Sequence, residues 1–134
     1  MGARVASTAS PGTSAWMASP RHMEPVSIPS VVDGLREAWH RVDLADVNEA
    51  VLRLVRCEGE FPWHTHDEDE MFLCWNGAFR IELDPGQAVD LSPGDLFVVP
   101  RHTRHRPVAD LGPAYAVLLE RPETLQYGNE GADR

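Results

Sequence analysis

Cysteine is scarce in this chain, basic charge is outnumbered, and long apolar runs are missing. The two cysteines, Cys57 and Cys74, are too few and wrongly spaced for a disulfide framework or a CxxC metal site. A reducing cytoplasmic setting is therefore expected. Twelve basic against 21 acidic residues leave a net charge of −9. That balance argues against nucleic acid and anionic membrane surfaces as partners, because both attract basic patches. No apolar run approaches the ~18 residues of a membrane span. No continuous apolar stretch follows Arg4, so a secretory signal is not expected. Neither a Ser-His-Asp arrangement nor a phosphate-cradling glycine loop is apparent, so catalysis would have to run through a metal.

At 134 residues, 43% of them hydrophobic, the chain suits one domain with a sizeable core. Residues 1–25 are largely Ala, Ser, Thr, Pro and Gly, a composition unlikely to offset the entropy of ordering. They are read as a tail, 26–128 as the domain and 129–134 as a flexible end. Ser30 is placed to cap a short helix carrying Val31, Val32, Leu35 and Trp39 at helical spacing, bounded by Pro29 and the partly polar stretch 43–48. Short strands follow at 50–57, 63–66, 71–75, 79–83, 96–99, 106–108 and 115–119. Asn76-Gly77, Pro85-Gly86 and Pro93-Gly94 mark turns between them. Trp75 reads as a packing residue. The pattern is all-β, a barrel or sandwich, for which a double-sheet jelly roll is one way to limit exposed strand edges.

The stretch from Gly59 to Gly77 holds His64, His66 and Glu70. Alternate side chains of an extended strand share a face, so His64 and His66 point together. Glu70 has the same parity. Two imidazoles and a carboxylate suit a first-row transition metal, and a fourth ligand is available at His102 or His105. Phe72 and Cys74 continue the parity and would line a pocket beside the metal, whereas Trp63 points the other way. The run 67–69 is acidic; Arg101, Arg104 and Arg106 surround the second histidine cluster. An arginine there, Arg101 among them, would either clamp a substrate anion or pair with the acidic loop.

Together these two clusters resemble the cupin superfamily. Gly59, His64, His66, Glu70 and Gly77 follow its first motif, with a Gly59–His64 gap one residue shorter than usual. Gly94, Pro100 and His105 follow its second, with His102 where that motif has glycine and Ala109 where it has asparagine. The likeness extends over roughly residues 35–128 and is nearest to small single-domain bacterial cupins. It implies a double-stranded β-helix barrel and a metal held by His64, His66, Glu70 and His105. His102 is left as a contact to substrate or ligands, or as a surface turn residue.

The function expected from this set is a mononuclear metalloenzyme acting on a small organic molecule. A redox-inert Zn²⁺ would give isomerase, cyclase or lyase chemistry; Fe, Mn, Ni or Cu would open dioxygenase chemistry. Glu70 is the candidate proton carrier, and Phe72, Cys74, Arg101 and His102 the candidate substrate contacts. The competing reading is a non-catalytic module binding a sugar or other small molecule. Homodimerisation is the family-level expectation.

Overall fold

The computed structural model describes residues 23–129. Helix α1 (Ile28–Gly34) is the first element among the described residues. Its N-cap is Ser27, whose hydroxyl accepts from the Ser30 backbone N–H at 3.2 Å, so the cap lies three residues before the expected Ser30. Pro29 sits inside the first turn rather than before it, because its missing N–H has no intrahelical partner to lose there. Trp39 lies beyond the helix at φ 65°.

Seven strands follow: β1 (Arg41–Val47), β2 (Ala50–Glu60), β3 (Glu70–Asn76), β4 (Phe79–Leu83), β5 (Gln87–Leu91), β6 (Leu96–Val99) and β7 (His105–Glu120). The partly polar stretch read only as bounding the helix lies largely within β1, a half-exposed edge strand paired with β2 from Arg41↔Val55 to Val47↔Ala50. An edge strand with one face in water tolerates alternate polar residues, which hides it from a hydrophobicity reading.

The two strands expected at 106–108 and 115–119 are one strand, β7, around which the barrel is wound. β2 lies along one edge of it. β3 and then β4 run in succession along the other, Met71–Asn76 against Tyr115–Leu119 and Arg80–Leu83 against His105–Val108. Gly77 is thus a corner between two strands that share a neighbour and do not pair with each other. A Cβ there would meet the Pro113 carbonyl oxygen at 2.7 Å, and the residue has φ +79°, so glycine is required twice over. β5 and β6 repeat the arrangement one layer out, on β4 and β3.

Inward side chains form the barrel core, among them Val55, Phe72, Ile81, Val99 and Leu118. A second cluster, on the outer face, places Leu35, Leu54 and Val117 under α1 with Val31 and Val32. Trp75 is not a core residue: its odd parity on β3 turns it outward, 38% exposed. Of the expected tails, 1–22 and 130–134 lie outside the described residues. Asn129, read from sequence as part of a flexible end, is held by its backbone N–H on the Thr65 carbonyl at 2.9 Å.

Candidate metal centre

His64, His66, Glu70 and His105 meet in the barrel, each offering a ligand atom within 4.8 Å of the others. All four are at least 94% buried. Glu70 comes from the first position of β3, opposite Val99, and His105 from the first of β7. The two other ligands come from the 61–69 loop, where the expected strand shrinks to an isolated bridge between His64 and His105. That bridge is two backbone bonds, His64 N–H to His105 O at 3.0 Å and His105 N–H to His64 O at 2.9 Å. The shared face expected of His64 and His66 survives although the strand does not.

Each imidazole is oriented by a carbonyl two residues away. Nδ1 of His64 donates to Pro62 O at 2.9 Å, that of His66 to Glu68 O at 3.1 Å and that of His105 to Thr103 O at 2.8 Å. A carbonyl only accepts, so each Nδ1 carries a proton and Nε2 is the atom each ring turns inward, its lone pair available to a cation in the neutral imidazole. Such outer partners fix the tautomer and raise ligand basicity. His66 Nε2 lies 3.0 Å from Glu70 Oε1. His105 Nε2 lies 3.4 Å from the same oxygen and forms no well-aligned hydrogen bond, leaving a fully buried nitrogen without a partner. Leaving it so is costly; a cation among these four atoms would satisfy it, so the residues fit a metal. The mixed nitrogen and oxygen set suits a divalent first-row ion.

Local electrostatics agree. Burial and the neighbouring His105 push His64 down to about 4, holding it neutral. Burial also acts on His66, but the Glu70 hydrogen bond and charge outweigh it and raise that imidazole. Burial likewise opposes ionisation of Glu70, yet the close imidazoles of His105 and His66 and the facing Glu120 hold it well below the usual carboxylate range. Glu120 behaves oppositely: burial and the facing Glu70 push it up. Its Oε1 meets no hydrogen-bond partner among the described residues. Its Oε2 accepts from Arg53 Nη1 at 2.7 Å and Arg41 Nη1 at 3.2 Å.

A cavity of about 30 Å³ opens beside His64 and Glu70, walled by Trp39, Arg41, Val55, Phe61, Phe72, Leu118 and Gln126 among others. At ~10–15 Å³ per water-sized group it holds two or three such groups. Phe72 lies where expected, its ring edge-on to His105 at 6.4 Å. Cys74 does not reach the cavity: its Sγ contacts the Gly77 carbonyl at 3.5 Å, and burial raises its thiol, the condition of an inert structural cysteine.

Arg101 and His102 lie on an outer turn. Arg101 binds Asp69 Oδ1 through its backbone N–H at 2.8 Å and Nε at 3.3 Å, and His102 Nε2 lies 3.2 Å from Asp67. Both side chains are more than half exposed, so the acidic loop and the basic cluster meet at the surface. His102 adopts φ 65°, the left-handed region that glycine enters freely, and its backbone N–H holds the His66 carbonyl at 2.9 Å. Trp63 does not line the cavity, and the guanidinium groups of Arg104 and Arg106 lie over its ring at 4.9 and 5.0 Å.

Sequence reading missed Trp39, Arg41, Phe61, Glu120 and Gln126 as site residues, since nothing in their spacing connects them to the histidines. Residues 121–129 return across the ligand loop. Tyr127 stacks on Phe61 at 4.8 Å, Gln126 Nε2 donates to the Trp39 carbonyl at 2.8 Å, and Asn129 Oδ1 accepts from Asp67 N–H at 2.8 Å.

A barrel closed around three imidazoles and a carboxylate defines a small β-protein with an internal metal-ligand set. The chain belongs to the cupin family: the family's cupin-domain pattern matches residues 51–119. The uncharacterized protein YdbB of Bacillus subtilis (strain 168) is 28% identical over 78 residues, covering 58% of this chain and 69% of that protein. Acireductone dioxygenase of Bacillus licheniformis is 36% identical over 66 residues, covering 48% of this chain and 37% of the enzyme. A cupin-2 domain protein from Shewanella frigidimarina superposes with a TM-score of 0.68 at 27% identity, covering 72% of this chain and 93% of that one. No described helix is long and apolar enough to cross a membrane.

Proposed function

We propose that this protein is a mononuclear metalloenzyme acting on a small organic molecule. The observation that carries the reading is the set of three imidazoles, each held by a carbonyl at Nδ1, whose Nε2 atoms converge with Glu70 within 4.8 Å. A set so oriented is ready for an ion without rearrangement. His64, His66, Glu70 and His105 would hold one divalent transition metal, Zn, Fe, Mn, Ni or Cu. Bound there, the ion supplies Lewis acidity for isomerase, cyclase or lyase chemistry or, when redox-active, dioxygen chemistry. The relatedness to an acireductone dioxygenase supports the second branch without deciding it.

The surrounding residues have separate tasks in this proposal. Phe61, Phe72 and Leu118 make the cavity wall apolar, which excludes water and strengthens charge interactions inside. Glu120 keeps a proton against Glu70, so Glu70, if it leaves the ion, has a proton donor at its back. Cytoplasmic residence and a homodimer belong to the same proposal; exposed Leu96 and Val98 on β6 support an apolar contact between copies.

One specific observation favours a second reading. The cavity of about 30 Å³ admits only a few atoms, as a binding module for a very small ligand would.

Metal analysis of protein purified without chelators or affinity metals, paired with oxygen-uptake assays, tests the proposal. About one equivalent of Fe, Cu, Ni or Mn with substrate-dependent uptake supports the oxygenase branch. Stoichiometric zinc without uptake leaves Lewis-acid chemistry or binding, and no metal after reconstitution overturns the metalloenzyme.

A further inference from the structure

Arg41 is the only Arg or Lys among the described residues that wall the cavity. Its guanidinium carries five N–H donors in a planar fork. Among the described residues its side chain makes one bond, Nη1 to Glu120 Oε2 at 3.2 Å. Arg53 holds that same oxygen more closely, at 2.7 Å, and also binds Asp43 Oδ1 and the Pro122 carbonyl, both at 2.8 Å. Arg53 is therefore the structural partner of Glu120, and Arg41 is an additional cation with most of its fork uncommitted. Burial, and the neighbouring Arg53, disfavour its charge, so a second anion beside it would be stabilising.

Its surroundings narrow what that anion can be. The rest of the wall is mostly apolar, with Trp39, Val55, Phe61, Phe72 and Leu118. Gln126, a neutral amide, gives one of its two N–H groups to the Trp39 carbonyl. His64 and Glu70 belong to the metal set, so Arg41 stands out as the donor available to a ligand. With a divalent ion outweighing the single Glu70 carboxylate, and Arg41 and Arg53 at least matching Glu120 and Asp43, the loaded cavity is net positive.

We propose that Arg41 recognises a carboxylate on the substrate, and hence that this site takes small monoanionic carboxylic acids with a compact apolar body. Resting on the metal-centre reading above, the inference names the substrate class of that same site. The planar fork of Arg41 matches a carboxylate bidentately. The apolar wall accepts the remainder of the molecule, and an acid of propanoate's size or larger requires residues 121–129 to shift at Gln126.

Arg41→Gln and Arg41→Lys chains test this beside the native protein, each loaded with one equivalent of Zn²⁺ and checked for metal content and melting temperature. Propanoate and its neutral isostere propanamide are titrated into each by calorimetry. A carboxylate also favours the metal in every chain, so the native-to-variant comparison isolates Arg41. The expected result is retained zinc and melting temperature in Arg41→Gln, with propanoate binding weakened tenfold or more and propanamide unchanged. Arg41→Lys, keeping the charge without the fork, should fall between. Equal propanoate affinity in native and Arg41→Gln chains, or equal loss of both probes, overturns the inference while leaving the metal centre standing. Failure of the native chain to hold zinc overturns the metal reading instead, and the propanoate comparison on the same samples still decides Arg41.

Discussion

His64 and His105 are bound to each other twice through their backbones, at 3.0 and 2.9 Å, and their rings lie 4.4 Å apart. A loop residue and the first residue of the central strand are thereby fixed at one distance, independent of any side-chain contact. The metal set is assembled by this bridge, since it carries the ligand loop onto β7.

Because the bridge is made by backbone atoms, its side chains are separable from the fold. His64→Ala and His105→Ala should each lose most of the bound metal while keeping the far-UV spectrum of the β-barrel. Elemental analysis after dialysis reads the first effect and circular dichroism the second. Full stoichiometry in both variants would refute the ligand assignment.

Gly128 ties the C-terminal segment to the same loop. It has φ +93°, and a Cβ there would stand 2.6 Å from the Thr65 carbonyl oxygen and 2.9 Å from His64 Cβ. Gly128→Ala should therefore push residues 64–65 away and weaken metal binding by about tenfold, as displaced outer support does elsewhere. Competition with a metal-sensitive dye measures it. Unchanged affinity would mean that 121–129 does not hold the loop.

His102 offers the opposite experiment. Its left-handed backbone costs a side-chain-bearing residue about 1 kcal/mol, and its contact with Asp67 is exposed on both sides and worth little. The bond to His66 uses only the backbone N–H. His102→Gly should raise the melting temperature by about 3 °C with metal stoichiometry intact. Loss of metal would show that the imidazole, not the backbone, is what matters at this position.

His64 gives a pH dependence with a definite sign in the metal-free protein. Its folded pKa of about 4 lies below the unfolded value near 6.5. Between the two, the unfolded chain takes up the proton and the folded chain does not. Its contribution is therefore fully present above about 6.5 and is lost as pH falls toward 4, a change on the order of 3 kcal/mol. Glu120, raised by burial and Glu70, acts in the opposite sense over part of that range. The readout is accordingly the difference in unfolding free energy between native and His64→Asn chains, which should narrow as pH drops from 6.5 to 4. A difference independent of pH would show that His64 is not held neutral by the fold.

Much of the site was legible because its residues lie close together in sequence or repeat with a fixed parity. His64, His66 and Glu70 fall within seven positions, and period-two alternation carries Phe72 inward with them. The same alternation turns Trp75 outward, which its size alone concealed. Arg101 and His102 stood beside a ligand in sequence yet lie outside the cavity, because the turn after Pro100 reverses the chain at the surface.

Local order, by itself, determined that this chain is all-β, that many of its turns fall at Gly and Pro, and that His64, His66 and Glu70 form one candidate ligand group, to which the family resemblance added His105. These follow from periodicity and short spacing, which act between near neighbours. Only the tertiary structure decided that β7 is one strand serving both edges, that Glu120 backs Glu70, and that Arg41 and Gln126 wall the cavity. Those relationships join residues remote in the chain, and they exist only once β1 and residues 121–129 are folded against the same barrel.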